Sequence, residues 1–132
     1  MVNILYFDID SLRPDHLGCY GYHRNTSSNL DRIAREGIRL RNCYVSDAPC
    51  VPSRSCLSTG LFGIHHGAVA HRGSRARLFG EQGRRGFRSR LHEAGWFSNL
   101  RAAGVRTASI SSFMHNHSAW HWTAGFAETY DT

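Results

Sequence analysis

Apolar and polar positions divide the chain into short segments of different period. From Ile4 to Ile9 β-branched and aromatic residues predominate, and the carboxylates Asp8 and Asp10 arrive at the C-terminal end of the run. This pattern predicts a buried strand, and in an open α/β sheet that end is where ligands sit. After a loop containing Gly18 and Gly21, the run Ser28 to Gly37 has a polar cap candidate, apolar residues at Leu30, Ile33 and Ala34, and a terminating glycine. That is the signature of a helix. Ile38 to Val45 returns to strand-like composition, and Pro52 to Leu57 can open a second helix because proline is tolerated in the first turn. Between residues 66 and 86, glycine, arginine and histidine displace aliphatic residues, which predicts a long surface loop. Helical periodicity resumes from Phe87 to Ala103, weakened at Gly95, and Val105 to Ser111 reads as a strand. The order of these elements predicts an α/β fold, a layered sheet with flanking helices.

Composition narrows the class. A chain of 132 residues that is 41% hydrophobic suits one domain or a piece of one. Sixteen basic residues against ten acidic ones give a net charge of +6, and every basic side chain is arginine. An arginine-only positive face favours planar bidentate partners such as phosphate, sulfate or carboxylate. The apolar stretch Asn3 to Phe7 is too short to span a membrane and runs into carboxylates. With no secretory pattern ahead of it, the expectation is a cytoplasmic protein with no membrane partner. The cysteines Cys19, Cys43, Cys50 and Cys56 match neither a disulfide scaffold nor a paired zinc motif. At least three of them read as reduced, partly buried thiols.

Cys50 stands where a helix is predicted to begin, with Arg54 one turn on. The positive end of the helix dipole and the guanidinium both favour an anion at that place. The alternative is a half-buried cysteine at a helix cap.

The wider pattern decides between them. Cys50-Val-Pro-Ser-Arg54, followed by Thr59-Gly60, resembles the signature of the sulfatase family, in the alkaline-phosphatase-like superfamily. The runs Asn3 to Gly21 and Asn25 to Ala34 also look like that family's opening strand and first helix. The resemblance implies a sulfuric ester hydrolase, with residues 1–132 the N-terminal part of its catalytic domain, incomplete and inactive alone, and residues 66–86 an Arg/Gly-rich loop within it. It implies that Cys50 is oxidised to formylglycine by a formylglycine-generating enzyme, and that one hydroxyl of the hydrated aldehyde attacks sulfur while the second later expels sulfate. It also implies a divalent cation, calcium in the first place with magnesium or manganese as alternatives, ligated by Asp10, Asp8 and the modified Cys50. Ser11 stands where the family often has a second aspartate. Arg54 takes the role of the family arginine beside the formylglycine. His117 is the expected polar partner of the nucleophile or leaving group, and His115 and His66 are expected at the substrate, a sulfate ester such as a sulfated saccharide.

Other readings compete at particular residues. A phosphomonoester or phosphonate ester hydrolase of the same superfamily would use the same tetrahedral oxyanion chemistry. The spacing of His115, His117 and His121 suits a transition-metal site if the first two share a strand face. His65, His66 and His71, close behind the motif helix, read as loop residues, with a place in the substrate pocket as the alternative. Arg72, Arg75, Arg77, Arg84, Arg85, Arg88 and Arg90 form a basic cluster that a polyanion-binding module would use. Only Phe79 and Phe87 interleave with it, so a nucleic-acid partner is not expected.

Overall fold

The computed structural model describes residues 3–71, 73–76, 93–117, 120–123 and 125–132, in two units, Met1–Tyr44 and Val45–Thr132. In the first unit the predicted helix forms as α1, Ser28–Glu36, and Gly37 stands at its end with its N–H bonded to the Ile33 carbonyl at 2.9 Å. Two 3-10 turns, Pro14–His16 and Gly18–Tyr20, precede it. Asp31, in the first turn of α1, fastens the second of these turns. Its carboxylate accepts the Cys19 N–H at 2.7 Å and the Ser27 hydroxyl at 3.1 Å, and Ser27 Oγ in turn accepts the Gly18 N–H at 2.9 Å. Burial works against the charged form of Asp31, but these hydrogen bonds outweigh it and hold the carboxyl below its ordinary value.

Both strands expected in this unit are absent among the described residues. Ile4, Leu5 and Phe7 are 68%, 89% and 71% exposed, and Asp10 lies in a turn whose next residue, Ser11, has a left-handed φ of 60°. Ile38, Leu40, Tyr44 and Val45 are likewise exposed and unpaired by any ladder. The residue types are those of strands, but a strand forms only where its N–H and C=O groups meet a neighbouring chain. No such neighbour lies beside them among the described residues.

The second unit opens with α2, Cys50–Thr59, which begins two residues earlier and ends two later than the pattern indicates. Gly60 terminates it with φ 69° and an N–H bond of 2.8 Å to the Cys56 carbonyl. α2 packs against α3, Gly63–His66, and against α4, Trp96–Ala102. Of the helix expected from Phe87 to Ala103, residues 87–92 lie outside those described. Gly95 interrupts the remainder and stands at the N-cap of α4. The chain then forms β1, Ala108–Ile110, α5, Phe113–Asn116, a 3-10 turn, Trp120–Thr123, and β2, Glu128–Tyr130. β1 and β2 run parallel with Ser109 opposite Thr129, which makes this a mixed α/β unit with a small parallel sheet. Within the expected loop, Gly73–Ala76 makes a 3-10 turn, whereas Arg72 and residues 77–86 lie outside the described set, as does most of the arginine cluster.

Phe97 on α4 is the centre of the core, 1% exposed. Its ring stacks on Phe126 at 4.6 Å and approaches Trp96 at 5.5 Å and Trp122 at 6.2 Å, with Ala68 buried beside it. Gly125 lies so close to that ring that a Cβ there would overlap Phe97 Cδ2 and Cε2. Overpacking a close-packed site costs about 1–3 kcal/mol. Gly125→Ala is therefore expected to lower the urea midpoint by an amount in that range, and an unchanged midpoint would contradict the packing described.

Candidate active site

Cys50 is the first residue of α2, in the turn where the helix carries its partial positive charge. Arg54 follows on the same face one turn later, and its guanidinium carbon lies 4.4 Å from the centroid of the Phe113 ring, a cation–π contact that orients the planar fork. Two imidazoles reach the thiol from distant parts of the chain. His71 Nδ1 is 3.3 Å and His117 Nε2 is 3.7 Å from Cys50 Sγ, and the two rings are 5.3 Å apart at their centroids. His117 closes α5 with its N–H on the Phe113 carbonyl at 3.1 Å, and its ring packs against Phe113 at 4.6 Å. Sulfur, two imidazoles and a guanidinium thus share one half-buried place.

Of the expected residues, Cys50, Arg54 and His117 come together. His71 joins them although the sequence reads it as a loop residue, because its contact with Cys50 spans 21 positions and no local pattern announces it. His115 points elsewhere, its Nδ1 3.8 Å from Asp131 Oδ2 on an exposed surface. The strand expected to put His115 and His117 on one face is a helical turn instead, which separates them; the side chain of His121 lies outside those described. Asp8 and Asp10 are exposed in the first unit, and the Ser11 hydroxyl donates to Asp10 Oδ1 at 3.2 Å.

His66 takes part in a second cluster. Its ring is fully buried, and Nδ1 accepts the Ala68 N–H at 3.1 Å. The neutral ring must then carry its proton on Nε2, which faces Cys56 Sγ at 3.1 Å. The Cys56 S–H donates to Asp47 Oδ2 at 3.0 Å, and that oxygen also accepts the Gly63 N–H at 2.9 Å. Asp47, just ahead of α2, is thereby tied to the middle of α2 and to the start of α3. Hydrogen bonds from Cys56 and Gly63 hold the Asp47 carboxyl below its ordinary value. Burial pushes the Cys56 thiol up, reinforced by Asp47, and burial holds the His66 imidazole down.

A histidine with a depressed folded value binds fewer protons folded than unfolded, so its contribution is complete above the ordinary value of 6.5 and declines as pH falls through it. The depressed Asp47 acts in the same direction at lower pH, its contribution being lost as pH falls from 3.8 through the folded value. Stability is expected to fall between about pH 7.5 and 5, and His66→Asn, which keeps an acceptor for Ala68, should flatten that decline. Urea midpoints across this range test it; equal slopes in both proteins would be inconsistent with a buried neutral His66.

The sulfatase family profile matches residues 2–132. Over 65 residues the chain is 42% identical to N-acetylglucosamine-6-O-sulfatase of Bacteroides thetaiotaomicron, an overlap of 49% of this chain and 12% of that protein. It is 40% identical over 65 residues to arylsulfatase A of Homo sapiens, covering 49% of this chain and 13% of the relative. It is 35% identical over 75 residues to the ulvan-active sulfatase of Formosa agariphila, covering 56% and 15%. The matched segments therefore span only 12% to 15% of these relatives. No solved structure matches the chain.

Proposed function

This chain belongs to the sulfatase family, and from that membership and the geometry around Cys50 we propose that it is the N-terminal portion of a sulfuric ester hydrolase with its nucleophile at position 50. The observation that carries the reading is the approach of His71 and His117 to a cysteine at the head of α2, with Arg54 one turn on along the same helix.

Converted to formylglycine, position 50 supplies a hydrated aldehyde as the nucleophile. A divalent cation would supply Lewis-acid polarisation of the sulfate oxygens. Asp10 and Asp8 are the residues that would hold it; both are exposed carboxylates, oxygen donors of the type that a hard ion such as calcium, magnesium or manganese takes. The remaining work falls to this chain's own side chains. Arg54, its plane set by Phe113, binds sulfate oxygens through its fork of donors. His71 accepts the proton of the attacking hydroxyl, and His117 donates one to the leaving ester oxygen, each within a small movement of the atom at position 50. Relatives named for N-acetylglucosamine-6-O-sulfate and for ulvan support a sulfated saccharide as substrate. The formylglycine-generating enzyme is the implied partner. Among the described residues no helix is long and apolar enough to cross a membrane.

Mass spectrometry tests the reading. In protein produced beside a formylglycine-generating enzyme, the peptide carrying Cys50 is expected to lose sulfur and gain an aldehyde, while Cys56 stays a thiol. A sulfatase active with an unmodified Cys50 would overturn it. The second reading, direct thiolate attack on a phosphoester, is favoured by the 3.3 Å approach of His71 Nδ1 to the sulfur, the arrangement of a base-activated thiol.

A further inference from the structure

We propose that Cys50, while still a thiol, forms with His71 and His117 a three-ligand site for a zinc-class ion, separate in chemistry from the oxygen-ligated cation of the sulfatase reaction. The inference concerns the unconverted side chain and does not depend on the proposed activity. The donor atoms Sγ, Nδ1 and Nε2 all lie within 4.8 Å of one another. Tetrahedral zinc, with bonds of about 2.3 Å to sulfur and about 2.0–2.1 Å to nitrogen, sets a sulfur and a nitrogen ligand about 3.5 Å apart. The observed separations of 3.3 and 3.7 Å straddle that spacing. The two rings lie side by side, inclined at 33° with centroids 5.3 Å apart.

Donor softness points the same way. A thiolate and two imidazoles suit zinc, copper or cobalt and are poor ligands for calcium or magnesium. All three residues are half-buried, and three protein ligands are the number that a zinc ion with a water or an anion in its fourth position takes. The head of α2 favours the thiolate that the ion requires. Arg54 nearby repels the bare cation but attracts an anionic fourth ligand.

The other cysteine–histidine cluster shows what such a site cannot look like. Asp47, Cys56 and His66 also place their donor atoms within 4.8 Å. There the Ala68 N–H occupies His66 Nδ1 and leaves the proton on Nε2, the nitrogen that would have to bind the ion. That cluster is a hydrogen-bond chain, and an ion titrated into the protein goes to Cys50. Bound there, it shields the sulfur from alkylation and from oxidation to the aldehyde.

The experiment uses the reduced 132-residue chain made without a formylglycine-generating enzyme and titrated with cobalt(II), then with zinc. Thiolate-to-cobalt charge-transfer absorption with tetrahedral ligand-field bands is expected, and zinc should bleach both. Cys50→Ser, His71→Gln and His117→Gln should each weaken cobalt binding at least tenfold, whereas Cys43→Ser should leave it unchanged. Converted wild-type chain, which keeps every other side chain, should lose the charge-transfer band and so guards against a variant that merely misfolds. Absence of the band in the reduced chain would reduce the cluster to a thiol–imidazole hydrogen bond and overturn the proposal. So would a band that survives Cys50→Ser and vanishes in Cys56→Ala, or histidine variants that bind cobalt as the wild type does.

Discussion

In the full-length protein that this chain is proposed to begin, replacing Cys50 with alanine is expected to lower sulfate ester turnover by about 10⁴-fold or more, because alanine has no thiol to convert, no hydrated aldehyde can form, and residual catalysis must come from binding alone. The informative control is Cys56→Ala, six residues along the same helix. That change removes the donor to Asp47 and the group facing His66 Nε2, so it should cost about 1–3 kcal/mol of stability while leaving kcat per folded molecule nearly intact. Rates on an aryl sulfate, normalised to the folded fraction, separate the two. Equal losses of kcat in both variants would move position 50 from chemistry to structure.

Phe97→Ala should be the most damaging single change to stability. Phe97 is among the largest fully buried side chains, and truncating it removes stacking on Phe126 and contact with Trp96 and Trp122. Phe-to-Ala changes in cores cost about 3–5 kcal/mol. Set against a margin of about 5–15 kcal/mol for ordinary domains, that is enough to leave much of the protein unfolded in mild urea. Tryptophan fluorescence reports it directly, since Trp96 and Trp122 border the cavity. The same variant should erase most of the penalty of Gly125→Ala, because the ring that the added methyl would strike is gone, and strictly additive penalties would argue against contact between the two sites.

Legibility in the sequence followed the range of the interactions. α1 announces itself locally, through Ser27 and Ser28 at its start, an apolar face and Gly37 behind it. α2 does not, because its buried side includes Ser55, Ser58 and Thr59. These residues satisfy their hydroxyls on carbonyls of their own helix, Ser55 on Val51 at 2.8 Å and Thr59 on Ser55 at 2.6 Å, so a polar face can be buried without an apolar pattern. There Pro52, tolerated in a first turn, marked a helix that periodicity could not. The reverse happened at Ile4 to Ile9, where strand-forming residues lack a pairing neighbour among the described residues. Half of the site was equally hidden: Cys50 and Arg54 are neighbours along one helix, whereas His71 and His117 arrive across 21 and 67 positions.

The contact between Arg54 and Phe113 ties chemistry to folding. Phe113 meets Trp122 edge-on at 5.8 Å, Trp122 meets Phe97 at 6.2 Å, and Phe97 stacks on Phe126. One unbroken line of rings thus runs from the domain's interior to the guanidinium. The guanidinium of Arg54 leans on the same set of rings that fills the interior. Interior and proposed reaction centre therefore have a common point of failure: whatever loosens the first misaims the guanidinium at the second.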